Sequence, residues 1–205
     1  MCRMKLHYNF LFVLLLIASC MNEDNNIPRR KGYFRIALPE KQYRSFNNGC
    51  PFTFEYPVYA KVVPDTEPGA EPCWMNVVFP SFNGKIYLSY KQVSGNLPRL
   101  IEECRTFAVK HEVKASAINE RDWTNYNNKV YGLIYDIEGD AASNMQFYLT
   151  DSTQHFIRGA LYFYSVPNKD SLAPVLKFIK QDIYHLVETF RWKSDSTNTA
   201  VKGDK

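Results

Sequence analysis

The chain has 205 residues, with 25 Lys+Arg against 21 Asp+Glu, a formal net charge of +4 that excludes a dedicated nucleic-acid binder with its clustered basic surface. Hydrophobic content of 45% against 22% charged excludes an acidic disordered protein, and the length suits one domain with a core of its own. Aromatics reach 15% while glycine stands at 9, a balance that favours half-buried β-sheet and leaves little material for phosphate-cradling loops.

Residues 1–19 have the layout of a signal peptide. Arg3 and Lys5 form a positive start, Phe10 to Ile17 an apolar run too short to cross a bilayer, and Ala18-Ser19 a small-residue cleavage context. Ile17-Ala18-Ser19-Cys20 resembles a bacterial lipobox, which implies a diacylglyceryl group on Cys20 and an acylated amine after cleavage. Two or three acyl chains hold a protein stably on a membrane where one does not. Residues 20–32 are polar and aperiodic and read as a tether. Residues 33–193 read as one continuous α+β domain, and 194–205 as a disordered tail.

Within the domain, Tyr33 to Leu38 alternates weakly and suggests a first strand. Phe52 to Tyr56 alternates clearly and stops at Pro57. Pro64, Pro68, Gly69 and Pro72 mark an irregular loop, followed by strands at Trp74 to Phe79 and Lys85 to Lys91 around a turn at Asn83-Gly84. The period then changes. Leu97, Leu100, Ile101, Cys104, Ala108 and His111 recur at three- and four-residue steps, so a helix is expected near 97–113, with Asn96 as cap and Pro98 in its first turn. Val130 to Ile137, Met145 to Thr150 and His155 to Tyr164 read as strands with hairpin-length links. Leu172, Val175, Ile179, Ile183, Leu186 and Phe190 predict a last helix near 171–190, and Arg191 and Lys193 suit its C-terminal dipole. Turn-sized links require an antiparallel sheet, and the two helices cover it.

Apart from Cys2 and Cys20, the cysteines are Cys50, Cys73 and Cys104. Cys50 and Cys73 lie beside proline in irregular segments and are the candidate disulfide, worth ~3 kcal/mol by chain-entropy reasoning. An oxidising compartment favours the bridge, and the Cα distance decides it. Cys104 sits on the apolar stripe of a helix and reads as a buried free thiol.

Catalytic constellations are weak. Asp151-Ser152-Thr153-Gln154-His155 holds the residue types of a hydrolase triad, but neighbours on a hairpin project in divergent directions, so a polar turn is expected. Cys104 and His111 stand two turns apart, too far for a thiolate–imidazole pair. His185 reads as a packing residue. No metal-ligand spacing, dinucleotide fingerprint or P-loop is present, so no metal, cofactor, nucleotide or nucleic acid is expected and no catalytic residue is assigned. Of the strand aromatics (Tyr131, Tyr135, Phe147, Tyr148, Tyr162, Phe163, Tyr164), alternation sends about half to the core; the remainder would form an exposed patch of the kind that marks a partner site.

Several segments together resemble the gliding-motility-associated lipoprotein GldD of the Bacteroidota. They are YFRIALPE from Tyr33, CPFTFEYP from Cys50, PCW from Pro72, FP at Phe79 and KIYLSY from Lys85. KVYG from Lys129, TDST from Thr150, HF at His155, RGALYF from Arg158 and PNKDSLAP from Pro167 extend the match to about Lys193. The resemblance implies an outer-membrane lipoprotein needed for gliding and linked to type IX secretion; Glu23-Asp24 after Cys20 leaves surface export open, and the periplasmic face is the expectation. The expected function is therefore a non-enzymatic accessory or scaffold whose partners are other gliding and secretion envelope proteins; the alternative is a lipid-anchored domain that binds a small ligand or glycan. The element order is also similar to the PsbP/Mog1-like α/β/α sandwich. Fold likeness says nothing of function.

Overall fold

A computed structural model of the chain describes residues 36–164 and 169–193. The expected signal peptide, Cys20, the tether, the start of the expected first strand and the tail lie outside the described residues. The described elements make an α+β sandwich. Ten strands form, β1 (Tyr43–Asn47), β2 (Phe52–Pro57), β3 (Lys61–Pro64), β4 (Met75–Phe79), β5 (Gly84–Gln92), β6 (Ala115–Asn125), β7 (Val130–Gly139), β8 (Met145–Thr150), β9 (His155–Phe163) and β10 (Arg191–Trp192), with helices α1 (Leu97–Val109) and α2 (Lys169–Thr189). Seven strands build one antiparallel sheet in the order β3-β4-β5-β9-β8-β7-β6; the other three make a small sheet, β1-β2-β10.

Period-two alternation sorts the large sheet into two faces. Ile86, Leu88, Phe147, Leu149, Ile157 and Leu161 point to one side and share a core with Val175, Ile179, Ile183, Leu186 and Phe190 of the last helix and with Phe52 and Phe54 of the small sheet. On the opposite face Phe156 and Tyr148 meet Leu100 and Cys104 of α1, while Tyr135 and Ile137 meet Ala108. Gly159 of β9 leaves room for the ring of its cross-strand partner Phe147 in β8: a Cβ there would stand 2.2 Å from that ring.

Four readings change. Ile36 and Leu38 are exposed and lie in no strand, so the expected first strand gives way to Tyr43–Asn47. α1 ends at Val109, and residues 110–114 turn tightly through bonds such as His111 N–H to Ala108 O, leaving Val113 exposed. Asn96 does not cap by its side chain; its Oδ1 accepts instead from Ser94 N–H. A long strand, β6, occupies residues for which alternation gave no element.

Cys50 and Cys73 form a disulfide with Cα atoms 5.6 Å apart, tying the β1–β2 turn to the loop that enters β4. At the far end of α2, Arg191 Nη1 donates to Glu188 O and Phe190 O, and Thr189 Oγ1 accepts from Glu55 N–H while donating to His185 O. A cation thus sits on the carbonyl end of the helix, where the dipole favours it.

Candidate functional site

The residues singled out for chemistry do not assemble into a catalytic group. Asp151 accepts from the backbone N–H of Thr153, Gln154 and His155 and from Thr153 Oγ1, so its carboxylate organises the β8–β9 turn. Burial would raise this acid; the backbone bonds outweigh it and hold the carboxyl below its ordinary range. His155 turns away to Tyr90 OH at 2.8 Å and stacks on Trp192. Cys104 is buried and free, and burial pushes its thiol up to about 12 against the opposing charge of Arg158. His111 lies in the turn after α1, packed on Tyr162, with burial and then Arg158 lowering its affinity for a proton. His185 stacks on Tyr43 at 3.6 Å and its Nε2 lies 2.7 Å from Glu55. Among the described residues no group of three or more His, Cys, Asp and Glu is placed to hold a metal ion.

The strand aromatics divide as alternation requires. Phe147 and Tyr135 are buried on opposite faces. Tyr148 packs on Phe156 and Phe163 on the main core, and on the α1 side of β5 and β9 Tyr162 and Tyr164 join Tyr87 in a surface band. Tyr162 packs edge-on against Tyr87, whose hydroxyl meets that of Tyr164 at 3.0 Å, and Lys85 lies over both the Tyr87 and Tyr164 rings. The bond from Lys85, then that from Tyr87, lowers the Tyr164 hydroxyl from its ordinary value. Phe107, 43% exposed, extends the band with Arg158 stacked 4.6 Å from its ring centre, and Tyr164 is 59% exposed. Beside it, between α1 and the sheet, a recess of about 360 Å³ opens onto Trp74, Leu100, Phe107 and Arg158. A second groove, of about 480 Å³, runs between α2 and β7 past Ile137, Ala141, Leu176 and Tyr184, with the Lys180–Asp136 ion pair on its wall.

A further polar cluster escaped the sequence reading. Asp182 of α2 is 1% exposed and accepts from Lys41 Nζ at 2.6 Å, Tyr59 OH at 2.7 Å and Tyr43 OH at 3.0 Å. Lys41 also donates to Phe178 O and lies over the Phe178 ring. Burial lowers Lys41 against the pull of Asp182, and burial first, then the carboxylate, raises both tyrosines. The signal was available: Asp182 falls on the same stripe as Val175, Ile179 and Leu186, and an acid on an apolar stripe is buried only with partners. With every hydroxyl and ammonium satisfied, the cluster fastens the start of the domain to α2.

Among the described residues no helix is long and apolar enough to cross a membrane. No match was found among curated proteins. Among solved structures the chain is similar to the solution structure of cyanobacterial PsbP (CyanoP) from Synechocystis sp. PCC 6803, at 9% identity over 78% of this chain and 97% of that one, with a TM-score of 0.47. The family model described as gliding motility lipoprotein GldD matches residues 23–192, which takes in the disulfide, the aromatic band and the Asp182 cluster, and the chain belongs to that family of membrane-anchored envelope lipoproteins.

Proposed function

We propose that this gliding-motility lipoprotein is a non-enzymatic accessory of the gliding apparatus and the linked type IX secretion machinery, acting through protein contacts. Cys20 carries the lipid that holds it to the outer membrane, with the domain on the periplasmic face. The observation that supports the reading is the exposed band from Phe107 through Tyr162 and Tyr87 to Tyr164, with Lys85 and Arg158 set among the rings. Exposed aromatics interleaved with Arg and Lys have the make-up of interface centres, since rigid rings bury much area at little entropic cost.

Affinity capture of the tagged lipoprotein from membranes, read by mass spectrometry, tests it. Gliding or secretion components should be recovered at near-stoichiometric levels, and Phe107→Ala with Tyr164→Ala should lower that recovery at least tenfold at equal lipoprotein abundance. Recovery of none from the parent protein overturns the reading. Cys20→Ala should abolish palmitate labelling and membrane association, and protease shaving of intact cells should leave the domain intact if it faces the periplasm.

A further inference from the structure

The recess between α1 and the sheet differs chemically from the band beside it. Its apolar walls are the side chains of Trp74, Leu100, Cys104, Phe107 and Phe156, and its polar lining is the Ser89 hydroxyl, the Arg158 guanidinium, Lys91 and Glu103. Arg158 rises from β9 with Nη2 donating to Gln146 Oε1 at 2.7 Å and its guanidinium carbon 4.6 Å from the Phe107 ring centre. Gln146 is itself 1% exposed, so the guanidinium is held from below by a neutral amide. Arg158 Nε is buried without a hydrogen-bond partner, and no carboxylate forms an ion pair with this guanidinium among the described residues.

The two other charged side chains of the lining have partners of their own. Lys91 pairs with Glu71 and lies over Trp74, and Glu103 reaches back to Arg99 at 3.8 Å along α1. The recess therefore presents, at the end of an apolar trough, the Arg158 guanidinium, which has no ion-pair partner among the described residues and whose Nε is buried. A guanidinium in such surroundings is normally matched by an anion, and its planar fork fits the two oxygens of a carboxylate. The volume of about 360 Å³ lies within the range of small-molecule sites.

We propose that this recess is a binding site for a small carboxylic acid with an apolar tail, a short- to medium-chain fatty acid by class, its carboxylate on Arg158 and its tail along Leu100, Phe107 and Phe156. The site shares Phe107 and Arg158 with the protein-docking band, but its test needs no partner protein and is read by a ligand, so the two readings can fail separately.

Trp74 lines the recess and reports on it. The full chain in lipid nanodiscs is titrated with sodium octanoate at neutral pH, with 1-octanol in parallel and empty nanodiscs subtracted for partitioning. Octanoate should change Trp74 fluorescence saturably, octanol should bind at least tenfold more weakly, and Trp74→Phe should remove the signal. Arg158→Gln should weaken octanoate at least tenfold while leaving octanol unchanged, and Arg158→Lys should fall between. Ser89→Phe, which fills the trough and leaves the cation in place, should abolish both, and circular dichroism checks that each variant is folded. An unsaturable response, equal binding of octanoate and octanol, or octanoate affinity unmoved in folded Arg158→Gln or Ser89→Phe overturns the proposal.

Discussion

The ammonium of Lys41 meets the carboxylate of Asp182 at 2.6 Å across 141 positions of sequence. That contact closes the domain on itself, since Lys41 stands just before β1 and Asp182 in the middle of α2. Tyr43 joins Lys41 on Oδ1 and Tyr59 donates to Oδ2, so both oxygens of the buried acid accept hydrogen bonds. A buried charge of this kind is costly to orphan rather than profitable to own, and its removal from one side is the sharper test.

Asp182→Ala leaves an ammonium and two hydroxyls without their acceptor and should cost about 3 kcal/mol of unfolding free energy. Asp182→Asn keeps one acceptor oxygen and should cost less. Urea unfolding followed by circular dichroism measures both; an Asp182→Ala midpoint equal to that of the parent protein would remove the cluster from any account of stability.

Gly159 is the place where β9 lets Phe147 lie flat, and a methyl would enter the ring at 2.2 Å. Gly159→Ala should therefore destabilise by about 1–3 kcal/mol through overpacking. The double variant Gly159→Ala with Phe147→Leu should recover part of that loss. If the single change is neutral in thermal unfolding, the ring is not held as described.

The Cys50–Cys73 bridge ties the small sheet to the loop before β4. Cys50→Ser with Cys73→Ser should lower stability by about 3 kcal/mol on the loop-entropy estimate. Thiol counting under denaturing conditions should find Cys50 and Cys73 unreactive in the parent until reductant is added. Immediate alkylation of both would show the bridge absent.

Asp151 gives the acid side of the stability curve. Its folded carboxyl is held below the ordinary 3.8, so its contribution is complete above the unfolded value and disappears as pH falls through the lower folded one. Asp151→Ala should cost about 1–2 kcal/mol at pH 7. The difference between variant and parent should shrink steadily below pH 4, and a difference that does not change with pH would assign the loss to turn geometry instead.

Alternation made β2 legible, apolar runs between turn signals made β4, β5, β7, β8 and β9 legible, and a 3.6-residue period the two helices, because burial on one face or on both is what writes apolar pattern into sequence. The strands it did not reveal share a place in the fold. β3 and β6 are the two edges of the large sheet, and β1 and β10 the two edges of the small one. Edge strands bury little: Glu120, Arg121 and Asp122 of β6 are exposed charges that protect an open edge from pairing with other chains, and they erase the alternation that would announce a strand. Ile36 and Leu38 mislead in the opposite sense, as apolar alternation that joins no sheet.

The site divides along the same line. The sequence by itself determined that half the strand aromatics would be surplus to the core, that Cys104 would be buried, and that Asp151 to His155 would be a turn. Which aromatics meet, which cysteines join and which acid receives Lys41 were decided only by tertiary structure. Tyr87 reaches Tyr164 across 77 positions and Asp182 draws its partners from more than 120 positions away, and such contacts depend on strand register and helix docking, which local chemistry does not encode.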